Sequence, residues 1–338
     1  MIDLLVAGGG PVGLATALYA RRAGLSVEVV EPRAGTIDKA CGEGLMPGAV
    51  AALEDLNVRF EGHPIAGIRY CDSKRSVHVE FRAGPGRGVR RTALHTALAD
   101  AARAEGVVVH TRPMGPVTQD DRGVYADGLA ASYLAAADGL HSPLRRSLEL
   151  DAPTARRRRY GLRAHYPVAP WTSFVEVHWA DDLEAYVTPV AAESVGVAIL
   201  TQRRAPFSEQ LRAFPHLVDR LHGTTGGETR GAGPLQQRSR SRVCGRVLLV
   251  GDAAGYVDAL TGEGISVGMA SARALVDCLA REEPQAYERK WRQASRRYRW
   301  LTSSLLWARS HRATASAIVP AAERLPRVFA AAVNQLAK

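Results

Sequence analysis

Six residues near the N-terminus, Gly8-Gly9-Gly10-Pro11-Val12-Gly13, constrain this chain more than any other stretch. They follow an apolar run at residues 2–7 and precede residues 14–22, whose apolar side chains recur at helical spacing up to Gly24. Residues 25–31 are then rich in β-branched side chains and close on Glu31. Strand, glycine turn, helix and strand make a βαβ unit, and G-x-G-x-x-G inside such a unit is the fingerprint of dinucleotide binding. Gly8 would make the tight turn, Gly10 would let a pyrophosphate approach the backbone, and Gly13 would let helix and strand pack closely. Pro11 and Val12 open the helix, whose free N–H groups and positive dipole end suit phosphate. Glu31 would accept ribose hydroxyls, its carboxylate repelling a 2′-phosphate, and Arg33 just beyond it is counted with the same site.

A chain of 338 residues with 46% hydrophobic content can bury a large core, as one large domain or two intertwined ones. No run of eighteen apolar residues occurs, and residues 1–7 enter a strand pattern without a basic leader, so a cytoplasmic protein is expected. Cys41, Cys71, Cys244 and Cys278 are scattered with no CxxC pair, which argues for free thiols and against a disulfide framework or a metal site. The net charge of +10 is concentrated in clusters, among them the four arginines 156–159 and residues 290–312, where Arg alternates with Trp291, Tyr298, Trp300 and Trp307. These read as a solvated or phosphate-facing basic surface, with contact between the C-terminal helices and an anionic membrane left open. No nucleic-acid-binding motif is present, so nucleic acid is not an expected partner. Nothing in the sequence sets an oligomeric state.

Beyond the βαβ unit, helices are expected at residues 47–56 and 92–105 and strands at 67–71, 76–81, 107–110 and 133–137. From residue 160 to 200 longer strands succeed one another, as in an antiparallel sheet forming a substrate layer, followed by helical sequence at 208–222. A strand at 246–250 returns to the earlier pattern and feeds a helix at 264–280; the remainder, 284–337, is helical with a break expected at Pro320. The resulting architecture is α/β: a Rossmann-type domain (1–159 and 236–283) with 60–85 joining an inserted sheet (160–235), and a C-terminal helical segment (284–338). In the second motif, Gly251-Asp252-Ala-Ala-Gly255 followed by Thr261-Gly262-Glu263-Gly264-Ile265, a carboxylate stands at a strand end before a glycine-rich turn and a helix start. Asp252 can bond a ribityl hydroxyl, Gly251, Gly262 and Gly264 let backbone approach a flavin ring, and the helix from Gly264 and Ile265 aims its N-terminus at the ring edge where negative charge gathers. That points to FAD.

The Gly8-to-Gly13 motif, the segment Asp138-Gly139-Leu140-His141-Ser142-Pro143-Leu144-Arg145 and the Gly251-Asp252 segment occur in an order that resembles the para-hydroxybenzoate hydroxylase-like flavoproteins. The resemblance implies that Asp138 and Arg145 touch FAD or a transient NAD(P)H, and that Arg91, beside Arg90, lies near the FAD phosphates. Within that superfamily, Lys39-Ala40-Cys41-Gly42-Glu43-Gly44 and Thr261-Gly262-Glu263-Gly264-Ile265 resemble the geranylgeranyl reductase branch, which would place Cys41 and Gly42 by the isoalloxazine ring. Members of that branch carry Tyr-x-Trp-x-Phe-Pro on the substrate sheet, whereas this chain has Tyr186-Val187-Thr188-Pro189.

Cys41 and Glu43 are the candidate catalytic residues, a thiol that could donate a proton and a carboxylate that could act as acid or base. Arg163, His165 and Tyr186 stand on the expected pocket strands as candidate substrate contacts, and His95 is read as a helix-surface or phosphate-proximal residue. NAD(P)H is expected to reduce the flavin, which then meets oxygen or a polarised double bond. The missing Trp and Phe favour a monooxygenase acting on a hydrophobic phenolic or polyketide-type molecule; reduction of isoprenoid C=C bonds is the alternative, and a non-catalytic flavin-binding protein a remote one.

Overall fold

The computed structural model describes residues 1–154 and 158–337. Ile2–Ala7 is the middle strand of a largely parallel sheet, between Leu129–Ala136 and Val27–Glu31. Val108–Thr111 and Val247–Leu249 extend it in parallel, and Val243–Cys244 closes one edge antiparallel. Leu4, Leu5 and Val6 are fully buried, which is why this strand reads as an unbroken apolar run rather than an alternation. A Cβ on Gly13 would lie 1.8 Å from the Gly8 carbonyl oxygen, so glycine alone lets the helix Pro11–Arg22 start this close to the strand. Gly264–Ala280 packs between that helix and the long helix Tyr287–Ser310.

The second sheet has seven strands in the order Arg230–Ala232, Tyr160–Tyr166, Ser194–Thr201, Glu184–Ala191, Phe174–Trp179, Gly67–Cys71 and Ser76–Glu80. It is antiparallel except between Phe174–Trp179 and Gly67–Cys71, which pair in parallel. These two strands come from distant segments with no hairpin between them, so no tight turn dictates their relative direction. Glu184–Ala191 lies at the centre, buried along nearly its whole length. One face packs on the short helices Phe207–Leu211 and Pro215–Arg220, the other on the C-terminal helices.

Two expectations from sequence are corrected here. Pro320 does not break the C-terminal helices: it is the third residue of Ile318–Arg324, a first-turn position where its missing N–H costs nothing. The breaks fall at His311, at Ser316 and Ala317, and at Leu325, which Pro326 forces out of the helical region. The arginine run is not wholly a solvated surface either. Arg156 and Arg157 lie outside the described residues and Arg158 is exposed, but Arg159 reaches inward to Glu184 at 2.7 Å and to Asp258 at 3.0 Å. Glu184 is fully buried and also bonds Arg309, so two carboxylates taken out of water are each met by guanidinium groups. This network ties the central strand, the loop after Asp252 and the end of the long helix together.

Candidate functional site

The glycine turn is shaped by what surrounds it. Gly8 has φ +108°, and a Cβ there would lie 2.5 Å from the Ala137 carbonyl oxygen. A Cβ on Gly10 would meet nothing within 4 Å, so the space above it is open to a ligand rather than filled by protein. The Gly9 N–H donates to Glu31 Oε2 at 2.8 Å, and Arg33 pairs with Glu31 Oε1 at 2.6 Å. Burial pushes the Glu31 carboxyl up, but Arg33 and the two backbone N–H donors outweigh it and leave the group below the usual carboxylate range. His95 is not a surface residue: it is buried, its Nδ1 accepting from the Ile37 N–H at 3.3 Å and its Nε2 meeting the Gly9 carbonyl oxygen at 3.0 Å. That pairing assigns the proton to Nε2, and burial holds the ring neutral by lowering its pKa. A place by the glycine turn is one of the two readings the sequence allows for His95, and the contact that decides between them joins residues 86 apart.

Opposite the turn, the Asp252 carboxylate makes no hydrogen bond among the described residues, and burial raises its pKa against the pull of Arg91, Lys39 and Arg145. Arg91 opens the helix Arg91–Ala104, and its Nε and that of Arg90 are both buried without a partner. Asp138 Oδ2 accepts the Leu144 N–H at 3.0 Å, while its Oδ1 is buried and has no partner among the described residues. Arg145 departs from the role the resemblance implies. It is almost completely buried and spends its donors on Asp151, the Ala253 and Leu140 carbonyls and Gln237, so it braces the Gly251-Asp252 turn from behind. A free acid at the turn, orphaned polar atoms on Asp138 and Arg91, and the open face of Gly10 fit a flavin dinucleotide laid between the two motifs.

The segment Lys39 to Gly44 is locked to the second sheet. Arg163 bonds Asp38 and sends Nη1 to His165 Nδ1 at 2.9 Å; His165 Nε2 meets Glu43 Oε2 at 2.5 Å; Glu43 Oε1 accepts the Arg91 N–H at 2.8 Å. Glu43 is buried with φ +59°, and both of its oxygens are engaged. Arg163 and His165 thus hold the loop rather than an open pocket wall. Cys41 Sγ accepts the Glu43 N–H at 3.4 Å, and burial pushes its thiol up, so it stays protonated at neutral pH. Tyr186 is also buried and donates its hydroxyl to the Leu260 carbonyl at 2.8 Å, beside the second glycine-rich turn.

Gly251 and Gly262 both hold positive φ, at +63° and +71°, and Gly264 and Ile265 begin the helix that follows, as the motif requires. Glu263 stands between Gly262 and Gly264. It is buried, its Oε2 has no partner, and burial pushes its carboxyl up to about 8. Residues 186–189 hold no Trp or Phe, but aromatic side chains from other elements meet near Tyr186: Tyr70 lies 5.3 Å from Trp179 and 4.7 Å from Phe329, ring centre to ring centre. All belong to the apolar cluster that contains Tyr186, Leu260 and Met46. The pairing of Gly67–Cys71 with Phe174–Trp179 also gathers Cys71, Glu176 and His178, a grouping no linear spacing announced. Glu176 there is already bonded to Arg69 and Trp171.

A glycine cradle facing a second glycine-rich loop that carries a bare carboxylate is the arrangement of a flavoprotein oxidoreductase. This chain belongs to the FAD binding domain family, of para-hydroxybenzoate hydroxylase-like type, which it matches over residues 1–296. It is an FAD-dependent oxidoreductase. Among its relatives is a menaquinone reductase of Mycolicibacterium smegmatis, 30% identical over 329 residues that cover 86% of this chain and 79% of the relative. A 6-methylpretetramide 4-monooxygenase of Streptomyces rimosus is 31% identical over 221 residues, 52% of either chain. A geranylgeranyl bacteriochlorophyll reductase-like protein from Thermoplasma acidophilum shares the fold, with a TM-score of 0.81 at 21% identity over 94% of this chain and 90% of that one.

Proposed function

We propose that this chain takes electrons from NADH or NADPH and reduces a carbon–carbon double bond in a hydrophobic, isoprenoid-type substrate. The observation that carries this reading is the apolar cluster that holds Tyr70, Trp179 and Phe329 with Tyr186 and Leu260, which sets aromatic side chains beside the second glycine-rich turn although residues 186–189 hold no Trp or Phe. The relative named menaquinone reductase, which matches most of the chain, supports a reductase and a hydrophobic substrate. FAD, when bound, supplies hydride-transfer chemistry. The chain supplies the rest: Gly10 and the helix start hold phosphate, Asp252 holds the ribityl arm, and Glu43 fixes the loop that carries Cys41. Adding hydrogen across a double bond consumes a proton as well as a hydride, and the Cys41 thiol and the Glu263 carboxyl are both held protonated by burial. Such a substrate partitions into bilayers, and the helix Tyr287–Ser310 offers a surface contact through Arg289 and Trp307, which are exposed and fall on one stripe of the helix.

A monooxygenase is the second reading, favoured by the 6-methylpretetramide 4-monooxygenase relative and by the absence of Trp and Phe from residues 186–189. The two separate under anaerobiosis. A reductase forms product from chemically reduced enzyme without oxygen, the product gaining two hydrogens. Product that forms only in air and carries one atom from labelled O2 overturns the reductase reading.

A further inference from the structure

We propose that a cavity between the long helix Tyr287–Ser310 and the Gly251-Asp252 turn is the docking site of the nicotinamide dinucleotide donor. The proposal rests on the reading that NADH or NADPH reduces the flavin, and it assigns that donor a place. The cavity measures about 830 Å³. That is far more than a bare phosphate fills and within the range of organic ligand sites. Gly10, Glu31 and Arg33 take no part in its lining, so it is separate from the cradle assigned to the FAD pyrophosphate and adenosine. Gly251, Asp252 and Gly264 form one wall, which places its inner end against the loops assigned to the flavin.

Its outer part is built for an anion. Arg238, Arg296 and Arg299 all line it, and among the described residues no carboxylate pairs with any of them. Glu288, the acid that serves this region, is already taken by Arg242 and Arg292. Burial and the neighbouring Arg238 lower the Arg299 pKa, so an uncompensated cation is held there at a cost that a bound phosphate would relieve. A second observation is independent of charge: Ser295, 1% exposed and also in the lining, has a hydroxyl with no hydrogen-bond partner among the described residues. A buried hydroxyl left unmet inside a cavity is one that a ligand oxygen can satisfy. Trp300, 68% exposed at the mouth, offers an indole face for a planar base. Phosphate, a flat heterocycle and proximity to the flavin loops describe a nicotinamide dinucleotide better than an apolar substrate.

The test uses the FAD-loaded protein. Calorimetry with the unreactive probes ADP and 2′,5′-ADP measures binding, and anaerobic mixing with NADH and NADPH gives the donor Kd from the saturation of flavin reduction. Arg299→Ala is expected to raise both dissociation constants at least tenfold, with FAD content and reduction by dithionite unchanged. Arg299 also stacks over Trp291, so Arg238→Ala, exposed and unpaired, and Ser295→Ala, which removes a hydroxyl without an internal partner, guard against a folding effect. Wild-type Kd values in all three variants overturn the proposal while leaving nicotinamide use intact. Loss of binding to anionic vesicles instead of nucleotide also overturns it. If neither nucleotide reduces the wild-type flavin yet probe binding still depends on Arg238 and Arg299, the donor reading falls and the cavity stands as a nucleotide site.

Discussion

At the scale of single residues, what an atom lacks is as informative as what it touches. Gly10 has nothing within 4 Å of the position its Cβ would take, so Gly10→Val should leave the fold intact and fill the pyrophosphate's place. FAD occupancy of the purified variant, read from flavin absorbance per chain, is expected to fall more than tenfold with little change in the circular dichroism; full occupancy would show the phosphate elsewhere. Glu263 makes a second residue-level prediction, about pH. Its carboxyl is raised to about 8 from 4.5, so between those values the unfolded chain has lost a proton that the folded one keeps. Stability therefore falls as pH rises from about 4.5 to about 8 and levels off above, by an amount on the order of a few kcal/mol. Glu263→Gln removes that dependence. The thermal midpoint of the apo variant should exceed that of the wild type by a margin that widens from pH 5 to pH 8, and parallel curves would show that Glu263 titrates normally.

At the scale of elements, the sequence was most readable where a local rule acts alone. The strand Ile2–Ala7 and the helix Gly264–Ala280 have the bounds read from apolar periodicity and flanking glycines. Pro320 makes no break of its own because a proline breaks a helix only after its first turn, and the chain has already left the helical path at Ser316 and Ala317. The site divides the same way. Its glycines and Asp252 were legible because backbone conformation and strand-end position demand them. The chain from Asp38 through Arg163 and His165 to Glu43 was not, because its last contact joins residues 122 apart. Tertiary structure converted two expected substrate contacts into supports for a loop. Asp252 belongs to this scale because its whole turn is braced by Arg145 so that its carboxylate stays free. Asp252→Ala should weaken FAD binding roughly ten- to a hundredfold, as loss of a charged hydrogen-bond partner costs about 1.5–3 kcal/mol. Titration of the apoprotein checks this, and unchanged affinity would take Asp252 out of the site.

At the scale of the whole molecule, one helix joins three tasks. The inner face of Tyr287–Ser310 packs on the Rossmann-type core through Tyr287 and Trp291, its end is tied to the second sheet by Arg309, and its outer face is left to solvent. Among the described residues no helix is long and apolar enough to cross a membrane. Trp307 is 61% exposed and lies five helical turns beyond the exposed Arg289, which brings the indole and the guanidinium onto one stripe. Exposed tryptophan costs free energy in water and is stabilised at a bilayer interface, and arginine beside it adds attraction to anionic headgroups. Vesicles containing phosphatidylglycerol should therefore bind the protein, more weakly as salt rises, and neutral phosphatidylcholine vesicles should bind it little. Trp307 does not line the cavity assigned to the nucleotide, so Trp307→Ser should lower vesicle binding severalfold while donor affinity stays at the wild-type value. Arg238→Ala is expected to do the reverse. Equal sedimentation of wild type and Trp307→Ser with anionic vesicles would show that the helix faces water, and a hydrophobic substrate of the proposed kind would then have to reach the flavin by way of solution.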